Sequence, residues 1–401
     1  MMQNTSSFSV RFSNFKTGKD FFSHKNKSTA ETVDDLFGLY CHWPFCLSKC
    51  PYCDFASGPV PDGCFHQKAF LAAYIRDLND CFSLHINTDA PKRHLTSLFF
   101  GGGTPSLMPL SLIEQIINEA QKRFSFAPDI EISIEANPET VDLRKMRSFK
   151  SLGINRLSLG VQALNDEDLK IFKRPHTLKT ALKRIEEAHS VFNNFSIDLI
   201  YARPSQTQEQ WAKELEKAIA LDLPHLSCYQ LTLEEGTPFF EDKSLILPDD
   251  DTQAQMLTDT WERLKSAGLF AYEISNFAKD GFECRHNKSY WLGADYLGIG
   301  PAAHGRIGKI ATEQERFFSN WLQNPMKKTT LTAEEKTEEK ILMGLRLFEG
   351  IPLPQGIQEK NIRKMAEKGW LDTNAAMCGR LKASDTGRLF LNRLIEGLLE
   401  D

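Results

Sequence analysis

The sequence predicts an α/β fold: six strand–helix units forming an open, partial barrel, followed by a small α+β domain. Three observations point there. Short apolar runs alternate with amphipathic stretches from Phe37 to about Leu233, and connections long enough for right-handed crossovers imply a parallel sheet covered by helices. Six units are too few to close an eight-stranded barrel. The residues able to carry chemistry fall at the C-terminal ends of the expected strands, where parallel α/β folds build their sites.

Taken in order, strands are expected over 37–43, 95–100, 130–136, 155–161, 195–201 and 226–233. The run Leu-Thr-Ser-Leu-Phe-Phe at 95–100 is short and largely apolar, as a strand buried on both faces requires. Helical periodicity covers 66–83, 110–124, 141–151, 178–192 and 208–221. Further on, a helix is expected over 251–267 and a strand over 271–277. The glycine-rich run 295–301 reads as close backbone packing or a ligand loop. Helices over 334–347 and 357–368, a hairpin within 370–383 and a last helix over 386–399 complete the chain. The division is therefore 1–36, 37–245 (barrel), 246–330 (connecting region) and 331–401 (C-terminal domain).

Residues 1–36 are rich in Ser, Lys, Asn and Phe, with Asp20 the only acid before Glu31. They read as a flexible or loosely docked tail, in which Phe8, Phe12 and Phe15 have near-helical spacing for packing on the barrel. Scarcity of acids is also a property of organelle-targeting presequences. The net charge of −5 gives no reason to expect nucleic acid as a partner. Residues 331–401 hold eleven Lys or Arg against twelve Asp or Glu, so that domain lacks the basic face DNA binding needs. No apolar run approaches the ~20 residues that span a bilayer, which leaves peripheral membrane contact open. Nine cysteines, an odd number grouped by motif, fit a reducing, cytoplasmic setting.

Cys46, Cys50 and Cys53 form a Cys-x3-Cys-x2-Cys set directly after the first strand. Three thiolates so close in sequence converge only if the backbone loops around one object, a metal or a cluster. Structural zinc takes four Cys or His ligands, typically as two pairs, and the chain has no second Cys pair. A [4Fe–4S] cluster held by three thiolates leaves one iron open to a ligand from outside the protein. Three ordinary buried thiols are the plain alternative.

With the aromatic Tyr52 before the third Cys, this spacing resembles the signature of the radical S-adenosyl-L-methionine (SAM) enzymes. The flanking Tyr40-Cys41-His42-Trp43-Pro44-Phe45 and Asp54-Phe55 resemble the family of oxygen-independent coproporphyrinogen III oxidases and its haem-chaperone branch, HemW. The resemblance runs from about Phe37 almost to the C-terminus. It implies a (β/α)6, TIM-like barrel of the radical SAM type and a winged-helix-like C-terminal domain. It also implies that SAM fills the open iron and is cleaved by the reduced cluster to a 5′-deoxyadenosyl radical.

Site residues follow from the same resemblance. Tyr40, Tyr52, Gly102, Gly103, Thr104 and Glu135 match cofactor-binding positions around the cluster and SAM. Consecutive glycines at 101–103 let a backbone approach a ligand and offer its N–H groups, although a tight turn needs them equally. Gln162, Arg174 and Asp198 match positions that bind a second SAM in the oxidase. One departure stands out: the family's Tyr-Gly-Leu-Pro is Tyr201-Ala202-Arg203-Pro204 here, so Arg203 is expected to bring a new charge to the barrel mouth.

His286 and Tyr290 form the His-Asn-x-x-Tyr motif of the HemW branch, which implies haem ligation. A buried His–Tyr hydrogen bond is the competing reading, and His304 is a further candidate ligand. The oxidases carry a fourth Cys two residues after the third, where this chain has Phe55. The expected function is a haem chaperone that delivers haem to apoproteins. Oxidative decarboxylation of coproporphyrinogen III, or another radical reaction on a tetrapyrrole, is the alternative, with that oxidase activity expected to be absent. A binding module with a purely structural cluster ranks last. The oligomeric state is not legible.

Overall fold

The computed structural model describes residues 33–60, 63, 65–87 and 93–400. The expectations for most of the tail, with Phe8, Phe12 and Phe15, therefore lie outside the described residues, as does Cys64. Every strand and helix expected between Phe37 and Gln230 is present. The strands are β1 (Phe37–Trp43), β2 (Leu95–Gly102), β3 (Phe126–Ala136), β4 (Arg156–Gln162), β5 (Asn194–Tyr201) and β6 (His225–Gln230). They pair in parallel in chain order. Between them run α1 (Gln67–Asn87), α2 (Leu110–Arg123), α3 (Leu143–Ser151), α4 (Leu178–Val191) and α5 (Gln208–Ala220).

The local reasons are simple. The first seven residues of β2 are buried, as befits a strand covered on both faces. Leu112, Ile113, Ile116, Ile117 and Ala120 give α2 one buried face, the spacing that seats a helix on a sheet. Asp142 and Thr177 cap α3 and α4 by accepting a backbone N–H, and Thr207 with Gln210 forms a capping box at α5. Each crossover thus starts its helix promptly and returns the next strand parallel. All six strands consequently open their C-terminal ends on the same side.

The remaining chain extends this sheet at both edges. The glycine-rich run is a strand, β7 (Asp295–Ile299), lying parallel to β1. Gly298 is required there because a side chain would strike the backbone of His304. The segments His304–Ile307, Ile310–Glu313 and Lys327–Thr330 continue antiparallel beyond β7. The strand expected over 271–277 is instead two pieces, Phe270–Ala271 and Asn276–Ala278, beside β6. The chain leaves the ladder between them, where Glu273 bridges to Leu347. Twelve strands of the described residues form this one mixed sheet.

Residues 341–398 contribute a second cluster of buried side chains, including Ile341, Met365, Leu381 and Leu394. Two expectations change here. The ends of 370–383 do pair antiparallel, Leu371 with Ala383, but a helix, Thr373–Met377, capped by Asp372, fills the turn between them, and Arg380–Leu381 pairs with Ile351–Pro352. The last helix is broken at Phe390 into Asp385–Leu389 and Leu391–Leu399, and the Phe390 ring stacks on Trp370 at 5.3 Å.

Candidate cluster and cofactor site

The loop after β1 is held from several sides. Phe45–Cys46 pairs with Gly58–Pro59, and Cys53 N–H donates to the Cys50 carbonyl at 3.2 Å. His42 Nε2 lies 3.1 Å from the Ala56 carbonyl, and its Nδ1 lies 2.9 Å from the Tyr40 hydroxyl. A carbonyl only accepts, so Nε2 carries the proton and Nδ1 accepts from Tyr40. Burial holds the His42 imidazole down to about 4, so it stays neutral in this role. Tyr52 packs edge-on against Phe172 at 4.8 Å.

Cys46, Cys50 and Cys53 are half-buried and unoxidised, and all three line a cavity of about 360 Å³ at the barrel mouth. Tyr52, Gly102, Gly103, Thr104, Glu135, Gln162, Arg174 and Asp198 line the same cavity. Burial pushes the thiols of Cys46 and Cys53 up, a cost that coordination to iron would remove because metal-bound thiols ionise outright. Arg174 Nη1 lies 3.3 Å from Cys50 Sγ, a donor suited to a thiolate. Three thiol donors around one cavity fit an iron–sulfur cluster with an open position. Among the described residues no three His, Cys, Asp or Glu side chains are grouped to hold a single metal ion. The fit rests on the shared cavity. Cys41, Cys81, Cys228 and Cys284 are buried elsewhere, and Cys378 is exposed.

Gly102 and Gly103 line the cavity while their amides bond within the protein. Gly102 N–H donates to Glu135 Oε2 at 3.0 Å. Gly103 N–H donates to Trp43 O at 2.6 Å and Thr104 N–H to Phe45 O at 2.9 Å. These amides are spent inside the protein. A Cβ on Gly103 would lie 2.7 Å from Phe45 O, so glycine allows the β2 terminus to pack against the cluster loop. Gly102 also has φ +114°, a region side chains avoid.

Glu135, at the end of β3, stands between the mouth cavity and an inner chamber of about 190 Å³. Burial pushes its carboxyl up to about 8, the Asp198 carboxyl adds to this, and the Gly102 N–H opposes it. Burial likewise raises Asp198, against hydrogen bonds from Ser227 and Ser158. Two neighbouring carboxyls in this state favour a cationic ligand group. Gln162 has φ +70° at a register shift in β4, backbone strain located at a candidate site.

Tyr40 lines the inner chamber, together with His286 and Tyr290. These last two lie on α6 (Arg285–Leu292) and share a face, as their spacing implies. His286 is 1% exposed. Its Nδ1 is 2.8 Å from Ser97 Oγ and its Nε2 is 2.7 Å from the Tyr290 hydroxyl. Both ring nitrogens are occupied. Burial, with Arg156 nearby, lowers the imidazole to about 3.

Arg203 does not charge the mouth. Ala202 turns with φ +57°, and the guanidinium lies buried, ion-paired with Glu214 and, at 2.8 Å, with Asp168. Several residues of the site escaped the sequence reading. Asn137 accepts from Arg174 Nη2 at 2.6 Å. Arg156 and Tyr229 line the inner chamber. Asn137 sits two residues after Glu135 at a strand end, and that position was the available signal. Arg156 opens a strand, where a charge ordinarily reads as solvated.

Comparison with known proteins follows this geometry. The family model of the Radical SAM superfamily matches residues 40–218. The Heme chaperone HemW of Buchnera aphidicola subsp. Schizaphis graminum is 34% identical over 378 residues, covering 90% of this chain and 98% of its own. That of Escherichia coli K12 is 33% identical over 377 residues with the same coverage. Coproporphyrinogen III oxidase (HemN) from Escherichia coli, a radical SAM enzyme, superposes with a TM-score of 0.73 at 22% identity, covering 92% of this chain and 91% of that one. This last likeness speaks for the fold.

Proposed function

Since the chain belongs to the radical SAM superfamily, in the family of the heme chaperone HemW, we propose that it binds haem and delivers it to apoproteins. The observation that carries this reading over the oxidase is Phe55. It stands two residues after Cys53, 61% exposed on the lip of the mouth cavity, where the oxidases carry a thiol. An exposed aromatic offers surface to a flat apolar macrocycle.

Cys46, Cys50 and Cys53 would hold a [4Fe–4S] cluster, and SAM would bring its ammonium towards Glu135. When bound, this pair supplies one-electron chemistry. The chain's own share is positional: Arg174 steadies Cys50, His42 steadies the loop at Ala56, and Glu135 exchanges its proton for a cationic partner. Gln162, Arg174 and Asp198 around the same cavity support the alternative, a second SAM and oxidase chemistry. The hydrogen bonding of His286 and Tyr290 supports the structural reading of that motif. Among the described residues no helix is long and apolar enough to cross a membrane, and a reducing cytoplasmic setting suits the exposed cluster loop.

The test uses one anaerobically reconstituted sample for two assays. Haem binding without conversion of coproporphyrinogen III, given SAM and reductant, is expected. Robust protoporphyrinogen formation would promote the alternative.

A further inference from the structure

The inner chamber holds a cation that the protein itself leaves uncommitted. Arg156, the first residue of β4, is 2% exposed and lines the chamber. Its guanidinium donates no hydrogen bond to any described residue, and Nε is buried without a partner. The one carboxylate oxygen of the described residues that comes as near as 4.0 Å is Glu131 Oε2, too distant for a hydrogen bond. Glu131 is also engaged elsewhere. It accepts the Arg285 N–H at 3.1 Å and the His286 N–H at 3.2 Å, the first two amides of α6, and a helix N-terminus offsets part of a carboxylate's charge. A guanidinium carries five N–H donors, and burying them unmet is costly. The chamber is therefore the place to look for their acceptor.

The other walls suit an anionic acceptor. Ser158, Ser227 and Asn287 bring hydroxyl and amide groups to the chamber. Glu135 and Asp198 line it too, and burial pushes the first carboxyl up to about 8 and raises the second. A carboxyl that keeps its proton donates a hydrogen bond instead of repelling an anion. Glu135, Ser158, Asp198 and Tyr229 line the mouth cavity as well, which gives the chamber its way in. At about 190 Å³, against roughly 30 Å³ for a water in the liquid, it has room for a carboxylate of two or three carbons and not for a porphyrin.

We propose that the inner chamber binds a small carboxylate group, held by the guanidinium of Arg156. The planar fork of Arg matches a carboxylate with two parallel hydrogen bonds, and the pairing neutralises a charge already buried. The group is either a free acid, as acetate or propionate, or the end of a side arm on a larger molecule seated in the mouth.

The full chain, carrying its cluster, is titrated calorimetrically with sodium acetate at constant ionic strength in chloride. Saturable binding is expected, and Arg156→Gln should weaken it at least about tenfold, with Arg156→Lys losing less. Asn287→Leu keeps Arg156 and narrows the chamber, so it should also weaken acetate and serves if Arg156→Gln does not fold. The side arm is tested with haemin against its dimethyl ester, and this part alone rests on the haem-binding reading above. Weaker binding of haemin but not of the ester in Arg156→Gln identifies the arm as the source; an effect on acetate alone identifies the free acid. If neither acetate nor haemin distinguishes the folded Arg156 and Asn287 variants from the parent, the chamber holds ordered water only and the proposal is overturned. A parent that binds no haem rejects the functional reading and leaves the acetate titration to decide the site.

Discussion

The guanidinium of Arg174 reaches Cys50 Sγ across 3.3 Å, joining residues 124 positions apart. The same group donates to Asn137 Oδ1 at 2.6 Å and to Gly160 O at 2.9 Å, so it is fixed by the residue that follows β3 and by β4 rather than by the cluster loop. A positive donor beside a thiolate favours the reduced, more negative cluster. Arg174→Ala is therefore expected to lower the cluster's midpoint potential while retaining most iron. An EPR-monitored redox titration measures this, and an unchanged potential would remove Arg174 from the cluster's environment.

The ligand set is open to direct substitution. Cys46→Ala, Cys50→Ala and Cys53→Ala should each lose the visible absorption and most iron. Cys41→Ala and Cys228→Ala should keep both, because those thiols are buried away from the cavity. Loss of the cluster in Cys41→Ala with retention in Cys46→Ala would reverse the assignment.

Glu135 makes a pH-dependent prediction. Its folded carboxyl titrates at about 8 against an ordinary 4.5. Between those values the folded protein holds a proton that the unfolded chain has released, so this group's contribution to stability falls as pH rises through the window. Other buried groups titrate as well, so the difference between parent and variant isolates the effect. The ligand-free parent should lose melting temperature relative to Glu135→Gln between pH 5 and 8. SAM affinity should rise over pH 6–7.5 in the parent only, as the carboxylate forms to meet the ammonium. Identical pH profiles for the two proteins would refute both parts.

Arg203 should matter to stability and not to the site. Removing it leaves Glu214 buried without its partner, a loss of about 3 kcal/mol. Thermal or urea unfolding of Arg203→Ala should show this, with SAM affinity near the parent's. A large loss of SAM binding in folded variant would return Arg203 to the mouth.

His286 and Tyr290 behave in the structure as a buried hydrogen-bonded pair. Tyr290→Phe leaves His286 Nε2 without its partner, which costs about 1 kcal/mol or somewhat more. The melting temperature should fall while the Soret titration stays at the parent's. The opposite outcome, an altered haem spectrum with normal stability, would reinstate the pair as ligands.

By itself the sequence determined the elements from Phe37 to Gln230 and the three thiols, because periodicity, caps and a Cys-x3-Cys-x2-Cys loop are encoded within a few residues. It also located Glu135, Gln162 and Asp198, since a strand's C-terminal half points to one end of a parallel sheet. Direction and pairing across the chain needed the tertiary structure. Only there does 295–301 become β7, because a strand is defined by a partner more than 250 residues away in β1. Only there do the glycines of 101–103 prove to be a close backbone contact with Trp43 and Phe45. The left-handed turn at Ala202 sends Arg203 into the protein towards Glu214, and the seating of α6 against β2 buries His286 on Ser97. Which way a side chain faces is set by what packs against its element, and that packing is long-range.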